Sequence, residues 1–585
     1  MPDASSYPRA PRFTRRAARS IVALAAAAAV GATAACSSEP TDQVPSLGYA
    51  IDNVVTTYNG NTVEGSATGA LQALGRVLTG MSYTGPSGAQ VADTDFGTAN
   101  VVPGDSLTVQ YRLNPSSVYS DGVPIACDDF MLAWAAGSGR FTRPGDGGPV
   151  PMFDAATRAG YADIERVDCA PGAKDVTVVF APGRGYLGWR SLFGATELMP
   201  AHVAAQAAGV PDLVGAIRSG DADAVGRIAD FWNTGWRLAP GDLELTRFPS
   251  SGPYRIESYT SDDGLVLVEN ERWWGVKPQT SRIVVWPKGS DVQSGMDAGD
   301  IEVVDVGAGS LAGFAPDGGF DVAHEPSRSV EQLVLATQGE FGSVDARRAF
   351  ALCLPRQRLY DELGHPGFER ADGIGSGVID SRITGPDTLF YPSAVAAEGG
   401  TYTDPDIPGA TAAREASGQQ RLTVRVGYLG PDERRARTVQ IIAESCAGAG
   451  ITVEDAGSPD FSPTALRAGQ VDAVLAGTAS AAGAAGTDSV DDAAFALRTG
   501  NGDNFGAFSN RRFDQVVDQL AVDASLAARM SLLGEAEAIL WNEMPTIPLF
   551  DQPRTIAHSK GMHAVVPNPT RSGSGWNMDR WILLR

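Results

Sequence analysis

The chain has 585 residues, too many for one ordinary hydrophobic core, and its 43% hydrophobic and 20% charged residues suit a folded soluble protein better than a disordered or membrane-embedded one. Its formal net charge is −23, and the first 35 residues hold five Arg against one Asp, which leaves −27 on the remainder. A body that acidic repels nucleic acid and anionic head groups, so no nucleic-acid partner is expected.

The N-terminus reads as an export signal over residues 1–35. Arg9, Arg12, Arg15, Arg16 and Arg19 form a basic region, Ile21 to Ala35 an apolar run, and Ala34, Ala35 and Cys36 a small-residue processing site. The apolar run falls short of the ~20 residues that a spanning helix needs. With a polar linker over 36–44, the site resembles the bacterial lipobox, although Thr33 stands where that pattern usually has Leu. The resemblance implies that Cys36 is lipidated and holds the mature chain to the outer face of the cytoplasmic membrane. Arg15 and Arg16 leave the export route open between the general and the twin-arginine pathways. Four further cysteines, Cys127, Cys169, Cys353 and Cys446, form an even set in an exported chain and are disulfide candidates with three possible pairings. Buried free thiols are the alternative, since Cys446 shares a helix face with Val439 and Ile442.

In chain order, Gly48 to Val55 reads as a strand and Leu71 to Leu78 as a short helix. Leu107 to Leu113 alternates as a strand with Val109, Tyr111 and Leu113 on one side. A turn at Ser120, Asp121 and Gly122 follows, and Asp128 and Asp129 open a helix carrying Phe130, Ala133 and Trp134. Val176 to Phe180 is another strand, and Pro200 starts a helix in which His202 is a capping or surface residue rather than a ligand. Phe231, Trp232 and Trp236 form either an aromatic ligand wall or core packing. Tyr254, Ile256, Leu265 and Leu267 supply the apolar faces of a hairpin whose turn is Asp262, Asp263 and Gly264.

Beyond about Pro287 the pattern becomes repeated strand and helix. Arg421 to Tyr428, a helix over Asp432 to Ala449, Ile451 to Glu454 and Val471 to Ala476 imply parallel strands with a right-handed crossover. The helix expected over Ala346 to Leu363 contains Pro355, which should kink or shorten it. Asn510 to Asn542 gives two amphipathic helices, followed by a strand near Ile547, Pro548 and Leu549.

Several of these pieces together resemble family 5 of the extracytoplasmic solute-binding proteins, the receptors of peptide and nickel ABC importers. They are the strand, "SDG" turn and helix over Leu107–Trp134, the Ser251–Pro278 stretch with Gly252, Pro253, Tyr254, Asn270, Trp274, Gly275, Lys277 and Pro278, and the Pro545–Leu549 segment. The resemblance implies an α/β, two-lobed periplasmic-binding-protein-like fold (class II, oligopeptide-receptor type) with an extra subdomain in lobe I. Lobe I would be 45–286 with 547–585 returning to it, and lobe II 287–546. Disulfides kept within one lobe would then pair Cys127 with Cys169 and Cys353 with Cys446. An oligopeptide-like solute, an ABC permease and a monomeric state are implied. The stretches GYAIDNVVTTYNGNT and YSDGVPIACDDFMLAWAAGSGRF are also similar to the LpqW-type lipoproteins of actinobacteria, which implies as an alternative a non-transport scaffold or glycolipid-binding regulator of phosphatidylinositol mannoside and lipoarabinomannan synthesis.

No GxSxG elbow, Walker loop or HExxH is present, so no catalytic residue, metal or cofactor is expected. His558 and His563 are a weak metal pair with no further ligand evident. Where peptide-binding members carry a cleft Trp and a second acid after the Asp472–Gly477 stretch, this chain has Thr478, Ala479, Ser480 and Ala481. A buried ammonium without a carboxylate is costly, so ordinary peptide capture is in doubt. Tyr58, Asn59, Ser251, Thr478 and Ser480 are the candidate ligand-binding residues.

Overall fold

The strand Ser46–Ile51 is buried almost throughout because it has a parallel neighbour on each side, Arg282–Trp286 and Val303–Gly307. A strand covered on both faces has no use for polar alternation, and its sequence, SLGYAI, has none. It belongs to a ten-stranded sheet in the computed structural model, which describes residues 43–145, 148–366, 377–398, 400–477 and 493–585. The strands run in the order Tyr254–Thr260, Gly264–Glu269, Arg282–Trp286, Ser46–Ile51, Val303–Gly307, Thr546–Ser559, Phe320–Leu335, Ala473–Gly477, Leu422–Gly427 and Ile451–Asp455. Residues 1–42, with the expected signal and Cys36, and Thr478 and Ser480 lie outside the described residues.

Two bodies hang on this sheet. The first has a core reaching from Leu47 and Tyr49 through Phe130 and Tyr254 to Trp581, and the second has its core around Leu333, Phe350, Val424, Ile442 and Phe550. The first body carries a separate four-stranded antiparallel sheet, in the order Gly97–Val102, Thr108–Leu113, Asp175–Phe180 and Ile164–Asp168. Val109, Tyr111 and Leu113 point into its core and Gln110 and Arg112 to solvent, as the alternation requires. The helix Cys127–Ser138 covers it and begins where Asp129 accepts the Ala126 N–H at 2.8 Å and the Ala201 N–H at 2.9 Å. Gly122 forms the preceding turn at φ +95°.

In the second body Leu422–Gly427 and Ile451–Asp455 pair in parallel, joined by the helix Glu433–Cys446, whose buried face includes Val439, Ile442 and Cys446. The helix expected over Ala346 to Leu363 is two: Val344–Cys353 ends at Leu354, and Pro355 caps Arg356–Leu363. Proline lacks the N–H that would continue the first helix, so the chain breaks there rather than bending. Disulfides join Cys127 to Cys169 and Cys353 to Cys446, with Cα separations of 5.8 Å and 4.9 Å. Each closes a long loop, of sequence separation 42 and 93, and on a chain-entropy view they restrict the unfolded chain by about 4 and about 5 kcal/mol.

The helices Arg511–Leu520 and Leu526–Glu543 are continuous with the core of the first body through Phe513, Val516, Leu520 and Leu540. Leu187 N–H donates to Ala521 O at 3.0 Å, and Arg184 donates to Asp518 O at 3.0 Å.

The bodies are linked by the two longest strands, Phe320–Leu335 and Thr546–Ser559, paired antiparallel. Their ladder is irregular at two neighbouring places near its middle: Pro326 faces Pro553 and then Val330 faces Asp551, so Ser327, Arg328 and Ser329 lie opposite Gln552 alone, and Glu331 faces Phe550 before Gln332 faces Pro548, which leaves Leu549 without a partner position. Neither proline can donate a ladder hydrogen bond. The extra residues are satisfied elsewhere, Ser329 N–H on Ser327 Oγ at 3.0 Å and Arg328 N–H on Pro569 O at 2.8 Å. The sheet is therefore stiff within each body and weakest between them.

Gly48 sits where the central strand meets the chain before Val303, and a Cβ there would lie 1.8 Å from Asp300 O, a backbone atom. Gly226, inside the helix Ala222–Thr234, has nothing within 4 Å of that position. Gly48→Ala is expected to destabilise by about 1–3 kcal/mol, and Gly226→Ala to stabilise by up to about 1 kcal/mol, both read from urea unfolding midpoints.

Candidate functional site

A cavity of about 610 Å³ opens beside the strand break. Its wall takes residues from the first body, among them Asp52, Gln72 and Asp305, from the second, among them Val474 and Phe505, and from the linking strands themselves, Ser329, Gln332, Gln552 and Arg554. Gln552 reaches the wall because Gly477 leaves room for it: a Cβ on Gly477 would stand 2.7 Å from Gln552 Oε1. A cavity that touches both bodies and the linkage between them changes shape whenever the bodies move.

Its buried charges are mostly neutralised within the protein. Asp305, on a strand that is otherwise apolar, pairs with Arg554 and accepts Ser574 N–H at 2.7 Å and Gln72 Nε2 at 3.3 Å. Asp52 holds Lys288 and accepts Gly307 N–H at 3.0 Å. Arg435 lies 2.8 Å from Glu331 and 3.8 Å from Asp432. Burial pushes the Glu331 carboxyl up, but the guanidinium groups of Arg434 and Arg435 outweigh it and bring it to about 2. Arg382 lies 3.2 Å from Glu537 and stands over the Trp541 ring at 4.0 Å. Charges taken out of water require such partners. Among the described residues, the lining charges left in solvent are Glu64, Arg237 and Asp460.

Tyr58, Asn59 and Ser251 do not line this cavity. All three are buried in the first body with internal partners: Tyr58 donates to Pro249 O at 2.9 Å, Asn59 to Trp232 O at 2.9 Å, and Ser251 Oγ accepts Thr79 N–H at 3.0 Å. Their polar groups tie turns together beneath the surface. Of the aromatic cluster, Trp236 is core and donates to Arg247 O at 2.9 Å, while Trp232 lines a smaller second cavity. His202 lies in the first turn of the helix Ala201–Ala208, where its side chain caps nothing and meets Asp121 at 2.8 Å. Asp472 is paired with Arg425 at 2.8 Å, and Thr337 donates to Gly506 O at 2.8 Å. His558 and His563 acquire no third ligand among the described residues.

The residues that build the wall left one kind of trace in the sequence. A charge or amide inside a buried strand, such as Asp305 in VVDVG or Glu331 and Gln332 in SVEQLVL, marks a place where the strand meets something polar.

The model of bacterial extracellular solute-binding proteins, family 5 Middle, matches residues 98–499. An uncharacterized lipoprotein of Mycobacterium tuberculosis is 44% identical over 581 residues, 99% of this chain and 100% of the relative. A second protein of that organism, the probable monoacyl phosphatidylinositol tetramannoside-binding protein LpqW, is 29% identical over 219 residues, 37% of this chain and 27% of its own. Among solved structures, the oligopeptide-binding protein AppA of Bacillus subtilis in complex with a nonapeptide superposes with a TM-score of 0.71 over 93% of this chain and 100% of its own, at 13% identity. The likeness in structure establishes the two-lobed fold. Among the described residues no helix is long and apolar enough to cross a membrane.

Asp551 stands at the strand break. Burial, reinforced by the Asp387 carboxylate, pushes its pKa from 3.8 up to about 8, with Arg328 pulling the other way. Arg328 is itself engaged with Asp387 at 2.8 Å. The folded chain thus holds a proton that the unfolded chain releases near pH 4, and stability falls as pH rises from about 4 to about 8. Asp551→Asn removes that slope: in thermal melts it should exceed the parent clearly at pH 8 and match it near pH 4.

Proposed function

Because the chain belongs to family 5 of the bacterial extracellular solute-binding proteins, we propose that it is a lipid-anchored receptor that takes a solute between its two lobes and delivers it to an ABC permease. Lobe I would comprise 45–286 with 547–585 and lobe II 287–546, except that Val303–Gly307 sits in the sheet of the first body and Ile547 to Phe550 in the core of the second, so the crossings lie inside those bounds. The cavity of about 610 Å³ beside the strand break carries this reading, since a solute contacting both lobes favours the state in which they are together. Cys36 would hold the receptor at the outer face of the cytoplasmic membrane. No chemistry on the solute is called for, because family members bind and do not transform.

A second reading is supported by the charge balance of the cleft and by the partial similarity to LpqW. Most buried carboxylates in the cleft, Asp52 and Asp305 among them, already face a cation, so none of those stands ready for a peptide ammonium. The solute would then be uncharged where it meets them, as a glycolipid-like molecule can be, and the protein would act as a scaffold or regulator in synthesis of phosphatidylinositol mannosides and lipoarabinomannan.

Isothermal titration against a pool of short peptides, with small-angle scattering for compaction, separates the outcomes. Binding with compaction is expected of an importer receptor; neither would contradict it. Deleting the gene distinguishes the second reading, because altered envelope glycolipids with normal peptide uptake exclude the importer role. Cys36→Ala should move the protein from the membrane fraction to the soluble fraction, read by fractionation of cells.

A further inference from the structure

Behind the cleft, within the first body, lies a second cavity of about 300 Å³. Small side chains make much of its wall, including Ala133 and Ala136 of the helix Cys127–Ser138 and Ala156. Trp232 lies along it, as do Tyr83 and Trp576, whose rings stack at 5.9 Å with 27° between their planes. Flat apolar faces beside small residues form a slot for a planar group.

The chamber and the cleft share three lining residues, Ser66, Asp503 and Arg571. These form a polar partition: Ser66 Oγ donates to Asp503 Oδ1 at 2.8 Å, Arg571 donates to Ser66 O, and the Arg571 charge faces Asp503. Asp503 is carried by a loop that reaches the first body through its own N–H, donated to Ala156 O at 2.8 Å. Gly502 permits this contact, since a Cβ there would lie 2.2 Å from Ala155 O. The wall between the compartments is therefore completed by a segment distant in sequence from the rest of the chamber.

The chamber has one charge of its own, Glu197, which accepts the Tyr161 hydroxyl at 2.7 Å and the Gly194 N–H at 3.2 Å. Ser82, also on the wall and 4% exposed, has a hydroxyl with no hydrogen-bond partner. A buried hydroxyl left unmatched costs free energy that a ligand atom could recover. We propose that the chamber is a second compartment of the solute site, taking an uncharged aromatic ring with one hydrogen-bonding substituent aimed at Ser82, while the polar remainder of the solute stays in the cleft. The proposal rests on the cleft being the solute site; the chamber's own occupancy is tested apart from it.

Phenol is the probe. Titrated into the whole mature protein and followed by tryptophan fluorescence and ligand-observed NMR, it should saturate, and Ala136→Leu, which fills the chamber, should weaken it by about tenfold or more. Ser82→Ala should weaken phenol by a few-fold and leave toluene unchanged, while Arg237→Ala, in the cleft, should leave both unchanged. If Ala136→Leu melts below the parent, Ala133→Val serves in its place with the same expectation. Phenol that does not saturate, or that binds equally to the parent and to a chamber-filling variant of parental stability, overturns the proposal. Saturable phenol binding in the chamber of a protein that never compacts with any peptide or glycan pool retires the cleft reading while the ring site stands, and compaction without phenol binding does the reverse.

Discussion

Everything that joins the two bodies of this protein through its sheet passes along two antiparallel strands, Phe320–Leu335 and Thr546–Ser559, and along them the ladder is broken where two prolines meet. A sheet transmits stiffness through regular hydrogen bonds, and here Pro326 and Pro553 remove two donors while three residues bulge against one. On either side the strands are fully committed: Val303–Gly307 pairs with the Arg554–His558 half, and Ala473–Gly477 with the Glu331–Leu335 half. The irregular stretch runs only from Pro326 to Gln332, opposite Pro548 to Pro553. The cavity lies against the same few residues, so a molecule held there would touch both bodies and the linkage between them directly.

The cleft is also a place where the protein has already matched most of its buried charge. Asp305 with Arg554, Asp52 with Lys288, and Glu331 with Arg434 and Arg435 are each held by partners from distant parts of the chain. Removing one member would strand the other in a poorly solvated site, at a cost of about 3–5 kcal/mol. Such pairs fix the shape of the wall and take little part in choosing an ionic ligand. The polar groups of the wall that carry no charge include the amides of Gln332 and Gln552 and the hydroxyl of Ser329.

The architecture was legible in the sequence wherever local pattern and tertiary environment agree. The alternation at Val109, Tyr111 and Leu113, the Asp262 to Gly264 turn and the crossover around Glu433–Cys446 each depend on neighbours that local periodicity already implies. Pro355 announced a disturbance, and the structure makes it a complete break. The cleft was far less legible, because polar residues near turns are as well suited to tying loops together as to meeting a ligand. Tyr58, Asn59 and Ser251 do the former, and only the folded chain reveals that their polar atoms are already occupied. Arg571 and Asp503 lie far from Ser66 in sequence and meet it through topology that no local signal encodes.

If the bodies hinge at the proline break, the distance between them varies when no solute holds them together. Spin labels at Val101→Cys in the first body and Gln440→Cys in the second, both exposed positions, report their separation by electron–electron double resonance in protein stripped of solute. Two populations are expected, one at the distance set by this structure and one longer. A single narrow distribution at the shorter distance would rule out a hinge there.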